Sequence, residues 1–167
     1  MGMRRVVTGH DDDGKAVFAD DREVEPATLT LVPGAEYYRL WGGNETPSFP
    51  DDGSLPASDP FFPPLGGYRF VIFTVPPGHR QEAGAGPTPE ELADGLAEMD
   101  AALPGMADHM EPDAPGMHTT ASVDFEIVLD GEIWLELDDG AEVHLKPGDA
   151  VVQNGTRHAW RNKGTTP

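Results

Sequence analysis

The sequence predicts an all-β fold, a small sandwich or barrel with one inserted helix. Short runs of β-branched and aromatic residues alternate with turn signals, and in the second half of the chain these turns follow one another closely. Glycine and proline are abundant, with 20 and 17 of the 167 residues, and both residue types favour turns. One segment alone has a convincing helical pattern.

Strand-like segments dominate the first half of the chain. We expect strands at Arg4–Thr8, Lys15–Ala19, Thr28–Val32, Glu36–Trp41 and Gly67–Val75. Asp13-Gly14 predicts a hairpin turn between the first two, and Pro33-Gly34 predicts the turn between the next two. The segment Gly42–Gly67 is predicted to be a long loop. We expect its three phenylalanines to hold it against the surface of the barrel.

A helix is predicted after this half. Thr88 and Glu91 form a capping-box pattern with Pro89 between them, which indicates a helix N-terminus. One face of the helix carries apolar residues at helical spacing, namely Leu92, Leu96, Met99 and Leu103. Pro104-Gly105 ends the pattern. Residues 79–115 therefore form an insertion between two strands, which either packs on the outside of a sheet or covers a pocket as a lid.

Dense β structure is predicted beyond the insertion. The expected strands are Val123–Leu129, Glu132–Leu137, Ala141–Leu145, Ala150–Gln153 and His158–Asn162. Turn signals rich in Asp, Asn, Gly and Pro separate them. This regular succession of short strands is typical of a sandwich or a small barrel.

Composition excludes several classes of function. The net charge of −19 argues against nucleic acid and anionic membranes as partners, because an acidic surface repels phosphates. There are no cysteines, so any metal must be held by His, Asp or Glu. The N-terminus lacks the apolar core of a signal peptide, and no apolar run is long enough to span a membrane. We therefore expect a cytoplasmic protein.

Two segments resemble the paired motifs of the cupin superfamily. In the first, His118 is followed by Asp124 and then by Gly131, seven residues after the carboxylate. The second runs from Pro147 to Asn162 and matches at Gly148, Asp149, Gly155, His158 and Asn162. Gln153 stands where the family usually has proline. The resemblance covers roughly residues 68–162, interrupted by the insertion.

The resemblance implies a cupin double-stranded β-helix, or jelly roll, and a metal centre. A typical cupin site has three histidines and one glutamate. Here it implies His118, Asp124 and His158 as ligands, with Thr120 in place of the second histidine. Two histidines and one carboxylate suit Fe, Mn, Zn or Ni. Alternatively the site has decayed, and the two histidines are hydrogen-bonded core residues with Asp124 as their partner.

Other side chains complete the predicted site. Strand alternation places Glu126 on the face of Asp124, as a fourth ligand or a general base, or else as a solvated residue at a strand end. A substrate pocket is expected to include residues that parity or the motif directs inward: Thr120, Tyr68, Phe70, Trp134 and Trp160. The alternative is that the aromatic residues are ordinary core.

Together these expectations give one interpretation of the domain organisation and function of the chain. We expect one structural domain, with residues 1–66 as N-terminal strands and a loop packed on a barrel formed by residues 67–167. The resemblance, closest to polyketide-cyclase and dioxygenase-like cupins, implies a metal-dependent enzyme that oxygenates, decarboxylates, isomerises or cyclises a small organic acid, phenol or polyketide-like substrate.

Two other functions stay open from the sequence. The chain is alternatively a metal-free acid–base cyclase or isomerase, or a cupin that binds a small molecule without catalysis. A homodimer is expected in each case. The chain ends soon after the second motif, where family members usually add a strand. Either the sequence is therefore trimmed, or the N-terminal strands or a partner chain are expected to cover that edge.

Overall fold

A computed structural model describes residues 2–78 and 87–167 of the chain. In these residues the chain is mainly β-structure. The strands are β1 Met3–His10, β2 Ala16–Val24, β3 Ala27–Leu29, β4 Val32–Gly43, β5 Tyr68–Thr74, β6 Val123–Ile127, β7 Ile133–Glu136, β8 Glu142–Leu145, β9 Ala150–Asn154 and β10 Ala159–Arg161. The helices are α1 Pro89–Ala102 and α2 Met106–His109, with a 3-10 turn at Asp138–Gly140.

The predicted all-β class is therefore confirmed, together with an inserted helical segment. Pro104 and Gly105 do end α1, but the short α2 follows them directly. The first part of the predicted insertion, residues 79–86 with His79, lies outside the described residues. None of the helices in the described residues has the length and apolar character needed to cross a membrane.

The strands pair antiparallel in four small sheets. Two sheets have three strands, in the orders β3-β4-β5 and β10-β7-β8, and two have two strands, β1-β2 and β6-β9. The β3-β4-β5 sheet joins strands on both sides of the predicted boundary at residue 66. The division of the domain into these two parts stays a prediction.

The turn between β3 and β4 lies earlier than the sequence predicted. β3 ends at Leu29 and β4 begins at Val32, so the chain reverses at Thr30 and Leu31. Pro33 and Gly34 lie inside β4 instead, with Gly34 at a φ of 86°. Proline is tolerated near the start of a strand, where its missing N–H removes little pairing. The Pro-Gly pair was therefore misread as the reversal itself.

The start of α1 follows the prediction closely. The Thr88 hydroxyl accepts a hydrogen bond from the backbone N–H of Glu91, and the Glu91 carboxylate accepts one from the N–H of Thr88. This reciprocal pairing satisfies two donors that helix geometry leaves without partners. The capping box read from the sequence is confirmed.

The buried face of α1 differs from the predicted one. Leu92 and Leu96 are each 43% exposed, whereas Gly95 is buried beneath Leu31. A Cβ at Gly95 would lie 2.3 Å from the Leu31 Cγ, so the absence of a side chain brings the helix close to the turn. Glycine has no side chain to contribute to an apolar pattern, so the sequence did not indicate that the face of α1 with Gly95 is buried.

The largest buried cluster connects the insertion with the first sheet and the long loop. It contains Leu29, Phe61 and Leu103, with partly buried residues from β4, β5 and α1 around them. The N–H of Phe61 donates to the Pro104 carbonyl at 2.8 Å. The loop is held by Phe61, as expected, while its Phe49 is 77% exposed.

Candidate functional site

The two predicted motifs meet at a pair of histidines. The backbones of His118 and His158 exchange two hydrogen bonds of 3.0 Å, which fixes the segments side by side. Their rings lie 4.2 Å apart between centroids. Both residues are buried, with 9% and 2% exposure. Residues forty positions apart in the sequence thus form one buried imidazole pair.

Hydrogen bonds orient both rings. Nδ1 of His118 lies 3.1 Å from the Gly116 carbonyl, and Nδ1 of His158 lies 2.9 Å from the Thr156 carbonyl. A carbonyl oxygen only accepts, so Nδ1 of His118 carries the hydrogen and Nε2 of its neutral ring keeps its lone pair. Nδ1 of His158 lies between a carbonyl oxygen that only accepts and the Gln153 amide nitrogen that only donates, so these contacts assign no tautomer to His158. Burial is the main cause that lowers the pKa of His118, and the nearby His158 adds to it. At neutral pH His118 is therefore an uncharged acceptor.

Gln153 lies between β6 and this pair, a position that was not predicted to belong to the site. It is 3% exposed and lies directly opposite Asp124 in the β6–β9 ladder. Its side-chain nitrogen is 3.0 Å from Nδ1 of His158 and donates to the Thr156 carbonyl at 2.8 Å. The substitution of glutamine for the usual proline was the sequence signal that could have found it.

Glu126 is the most perturbed carboxylate near the site. β6 alternates, so that Asp124 and Glu126 are partly buried while Phe125 between them is exposed. Burial raises the pKa of Glu126 to about 7, with the negative charge of Asp124 as the second cause. One carboxyl oxygen of Glu126 is buried without a hydrogen-bond partner. The alternative of a well-solvated strand end does not fit this environment.

The predicted metal ligands do not form a three-ligand centre as they stand. Within residues 2–78 and 87–167, no group of three or more His, Asp, Glu or Cys side chains is arranged to hold a metal ion. Asp124 is near enough to raise the pKa of His118, as the smallest of its causes. Thr120 is buried and accepts a hydrogen bond from Ser122 at 3.0 Å. The ligand role of His118, Asp124 and His158 stays a prediction.

Aromatic side chains flank the histidine pair on two sides. Trp160, which was predicted for the pocket, lies 6.1 Å from His158 between ring centroids, and Phe73 follows at 6.4 Å from Trp160. Phe62 stacks on His118 at 5.7 Å. Neither phenylalanine was predicted for the pocket, because one lies in an irregular loop and the other on the opposite parity of β5.

The inserted helices reach this wall at the end of α2, and Met110, the next residue, forms an isolated β-bridge with His118. His109, the last residue of α2, lies 4.7 Å from Phe62 between ring centroids. The longer helix α1 packs on the core beside β3. The structure therefore supports packing against the sheet for α1 and places the end of α2 beside the histidine pair. A lid movement stays a prediction.

Trp134 does not share the pocket face, contrary to the expectation. Trp160 pairs with Leu135 across the β7–β10 ladder, and directly opposed residues point to the same side of a sheet. Trp134 must then point to the other side, where it stacks on His144 at 4.0 Å. The two tryptophans could not be assigned to faces before the register between their strands was known.

Phe70 is also corrected by the structure. It is 57% exposed, whereas its neighbour Val71 packs on the buried cluster. β5 carries apolar residues on both faces, so alternation could not identify the inner one. Tyr68, at the start of β5, is partly buried with its ring against Gly43. Its pocket role stays a prediction.

A comparison with family models agrees with this arrangement. Residues 108–167, which contain both histidines and β6 to β10, match the model of the cupin domain. The comparison therefore shows a cupin domain over residues 108–167. The resemblance read from the two motifs is thereby confirmed, and the β-rich architecture is that of a cupin fold.

Curated fungal proteins are similar to part of this cupin. The phomopsin biosynthesis cluster protein C' of Diaporthe leptostromiformis is 56% identical over 50 residues, which are 30% of this chain and 26% of that protein. The oryzines biosynthesis cluster protein J of Aspergillus oryzae is 46% identical over 52 residues, 31% and 29%. The cupin-domain-containing oxidoreductase fogC of Aspergillus ruber is 39% identical over 61 residues, 32% and 30%. The matched stretches span less than a third of the length of these relatives.

Proposed function

We propose that this cupin is an enzyme of small-molecule biosynthesis in which Glu126 transfers a proton to or from the substrate. The observation that carries the proposal is the buried carboxyl oxygen of Glu126 that lacks a hydrogen-bond partner, on the strand face shared with Asp124. The names of the related proteins, which include biosynthesis cluster proteins and an oxidoreductase, support a role in the biosynthesis of small molecules.

The chemistry of Glu126 suits a substrate with an acidic C–H or O–H group. A carboxyl whose pKa is about 7 is present in both protonation states at neutral pH, which is the optimum for general acid–base catalysis. In the base form it accepts a proton as the acidic C–H bond of a 1,3-dicarbonyl substrate breaks, and the electron pair moves onto the carbonyl oxygen. From a phenolic substrate it accepts the O–H proton, and the electron pair stays on the phenolic oxygen. Return of that proton at another atom completes an isomerisation or cyclisation without a net redox change.

The surroundings favour a flat substrate with apolar faces. Phe62, Phe73 and Trp160 border the histidine pair, and such walls bind aromatic or polyketide-like rings. Uncharged His118 leaves an acceptor nitrogen for a substrate hydroxyl.

Metal-dependent catalysis is the second candidate, and one observation favours it. The Nδ1–H group of His118 donates to the Gly116 carbonyl, the arrangement in which histidine offers Nε2 to a metal. Fe, Mn, Zn or Ni bound there would supply Lewis-acid or oxygen chemistry. This candidate requires Asp124 or another donor to approach the pair, so no step of the proposed mechanism passes through a metal.

Proton abstraction is tested directly by deuterium exchange. A panel of 1,3-dicarbonyl compounds is incubated with the protein in D2O, and loss of the acidic C–H signal, corrected for exchange without protein, is followed by proton NMR. We expect catalysed exchange in the wild type and a loss of at least about 100-fold in Glu126→Gln, the usual scale of general-base catalysis. Equal exchange in Glu126→Gln would contradict the role of Glu126.

The same experiment includes a control variant and also tests whether the protein binds small molecules without catalysis. Glu45→Gln removes an exposed loop carboxylate and should keep the exchange rate of the wild type. Compounds that bind and stabilise the protein without any exchange would point instead to a cupin that binds small molecules without catalysis.

A further inference from the structure

A second site is formed on the N-terminal hairpin, apart from the histidine pair. β1 and β2 pair so that Arg5 lies directly opposite Arg22. Like charges placed opposite one another in a ladder destabilise a hairpin. A single carboxylate, that of Asp20, forms ion pairs with both guanidinium groups. The cluster therefore keeps one positive charge in excess, in a chain whose net charge is −19.

Arg5 is an unusual residue for the surface of a hairpin. Its side chain is 9% exposed, and its guanidinium lies over the ring of Trp41 at 5.4 Å. Two of its nitrogens are satisfied, one by Asp20 and one by the Leu40 carbonyl at 3.0 Å. The third nitrogen, Nε, is buried without a hydrogen-bond partner. A buried charged donor without an acceptor is costly, and an anion oxygen is the natural acceptor for it.

A cleft of about 200 Å³ opens at this cluster. Arg5, Asp20 and Arg22 line its charged part, while Trp41 and Leu55 supply apolar surface. Since a water molecule in the liquid has a volume of about 30 Å³, the cleft has room for a small organic molecule. The charged part fits a carboxylate, and the apolar part fits a short hydrocarbon or a single ring.

We propose that the cleft between the β1–β2 hairpin and Trp41 binds a small organic monocarboxylate through Arg5 and Arg22. This site is independent of the proton-transfer centre, because its residues belong to the hairpin, β4 and the long loop. A carboxylate bound there relieves the repulsion between the two arginines and supplies the missing acceptor for Arg5 Nε.

The NMR signal of the Arg5 Nε–H group tests the proposal. Benzoate is titrated into 15N-labelled protein, with benzyl alcohol as the uncharged counterpart. We expect a saturable shift of the Arg5 signal with benzoate and none with benzyl alcohol. Arg22→Gln, at a position whose side chain is 57% exposed and so tolerant of substitution, should weaken benzoate binding about tenfold.

Arg4→Gln is the matched control. Arg4 is the neighbour of Arg5 on β1, with a side chain that is 69% exposed and paired with Asp21, so this variant removes the same charge without touching the cleft. It should bind benzoate as the wild type does. The proposal is overturned if Arg5 Nε–H does not shift, if Arg4→Gln and Arg22→Gln weaken binding equally, or if chloride shifts the signal as strongly as benzoate.

Discussion

At the residue scale, burial together with the negative charge of Asp124 raises the pKa of Glu126 to about 7. The alternation of polar and apolar side chains along β6 was sufficient to place Glu126 on the same face as Asp124, because such a strand has one clearly polar and one clearly apolar face. Its unusual protonation could not be predicted, since it depends on burial by other elements. The histidine pair was foreseeable from motif spacing, whereas Phe62 and Gln153 required the folded chain.

The protonation of Glu126 predicts how stability depends on pH. Its pKa rises from 4.5 to about 7 on folding, so its contribution to stability is fully present below pH 4.5 and is lost as the pH rises through 7. As the pH rises, the stability of Glu126→Gln should therefore increase relative to that of the wild type. We expect on the order of 1 to 2 kcal/mol, allowing for partial solvent screening.

Urea unfolding of both proteins below pH 4.5 and above pH 7 measures this difference. Glu45→Gln, an exposed loop variant, should follow the wild type at both pH values. A stability difference between Glu126→Gln and the wild type that is the same at both pH values would show that Glu126 titrates normally.

The departure of Thr120 from the cupin pattern predicts how metal affinity changes. Thr120 is buried while its neighbour Thr119 is exposed, so histidine at position 120 would restore the ligand that the motif lacks. We expect Thr120→His to bind Zn²⁺ at least about tenfold more tightly than the wild type, because imidazole is a far better zinc ligand than a hydroxyl. Competition with a chelating dye measures the affinity.

Thr119→His provides the comparison for that experiment, since it adds the same side chain on the outside. An equal gain in the two variants would mean that the added histidine binds zinc at the surface. In that case the predicted set of His118, Asp124 and His158 would lose its support.

At the element scale, strands that begin and end at glycine or proline turns were the easiest to predict. β6 to β10 lie within the predicted segments or within one residue of them, because each intervening turn has few alternatives. β3 and β4 were harder, since the reversal at Thr30 and Leu31 uses residues with no turn preference. The inner face of β5 was undetermined because both of its faces are apolar.

The contact between α1 and Leu31 predicts an unusual glycine substitution. Alanine in place of glycine inside a helix normally stabilises it by about 0.5–1 kcal/mol. At Gly95 the added Cβ would meet Leu31 side-chain atoms at 2.3–2.8 Å, so we expect Gly95→Ala to lower the free energy of unfolding by about 1–3 kcal/mol. Chemical denaturation measures the change.

Shortening Leu31 tests whether its contact with the added Cβ at position 95 causes the loss of stability. In a Leu31→Ala background, Gly95→Ala should be neutral or stabilising, which makes the pair strongly non-additive. Additive effects of the two substitutions would show that Leu31 does not limit the approach of the helix.

At the scale of the whole molecule, one face of the β6–β9 pair is exposed in the part of the chain that the structure describes. Four of its outward side chains are large and apolar: Val123 is 56%, Phe125 82%, Ile127 60% and Val152 58% exposed. Phe125 and Val152 are direct cross-strand neighbours, so the residues form one continuous stripe. Acidic residues dominate the chain as a whole, yet these four positions carry no charge. A contiguous apolar patch of this kind is typical of a protein interface.

The expected homodimer is therefore predicted to bury this stripe against a second copy. Two chains that each carry a net charge of −19 repel one another, and added salt screens that repulsion. Association should thus strengthen as the ionic strength rises, the opposite of an interface held by ion pairs. Sedimentation velocity at low and high salt measures the extent of association and its dependence on salt.

Phe125→Lys should dissociate the dimer by placing a charge in the apolar contact, while Phe49→Lys, in the exposed part of the loop, should not. A monomer at every salt concentration, or equal dissociation by both variants, would place the stripe outside any self-association surface.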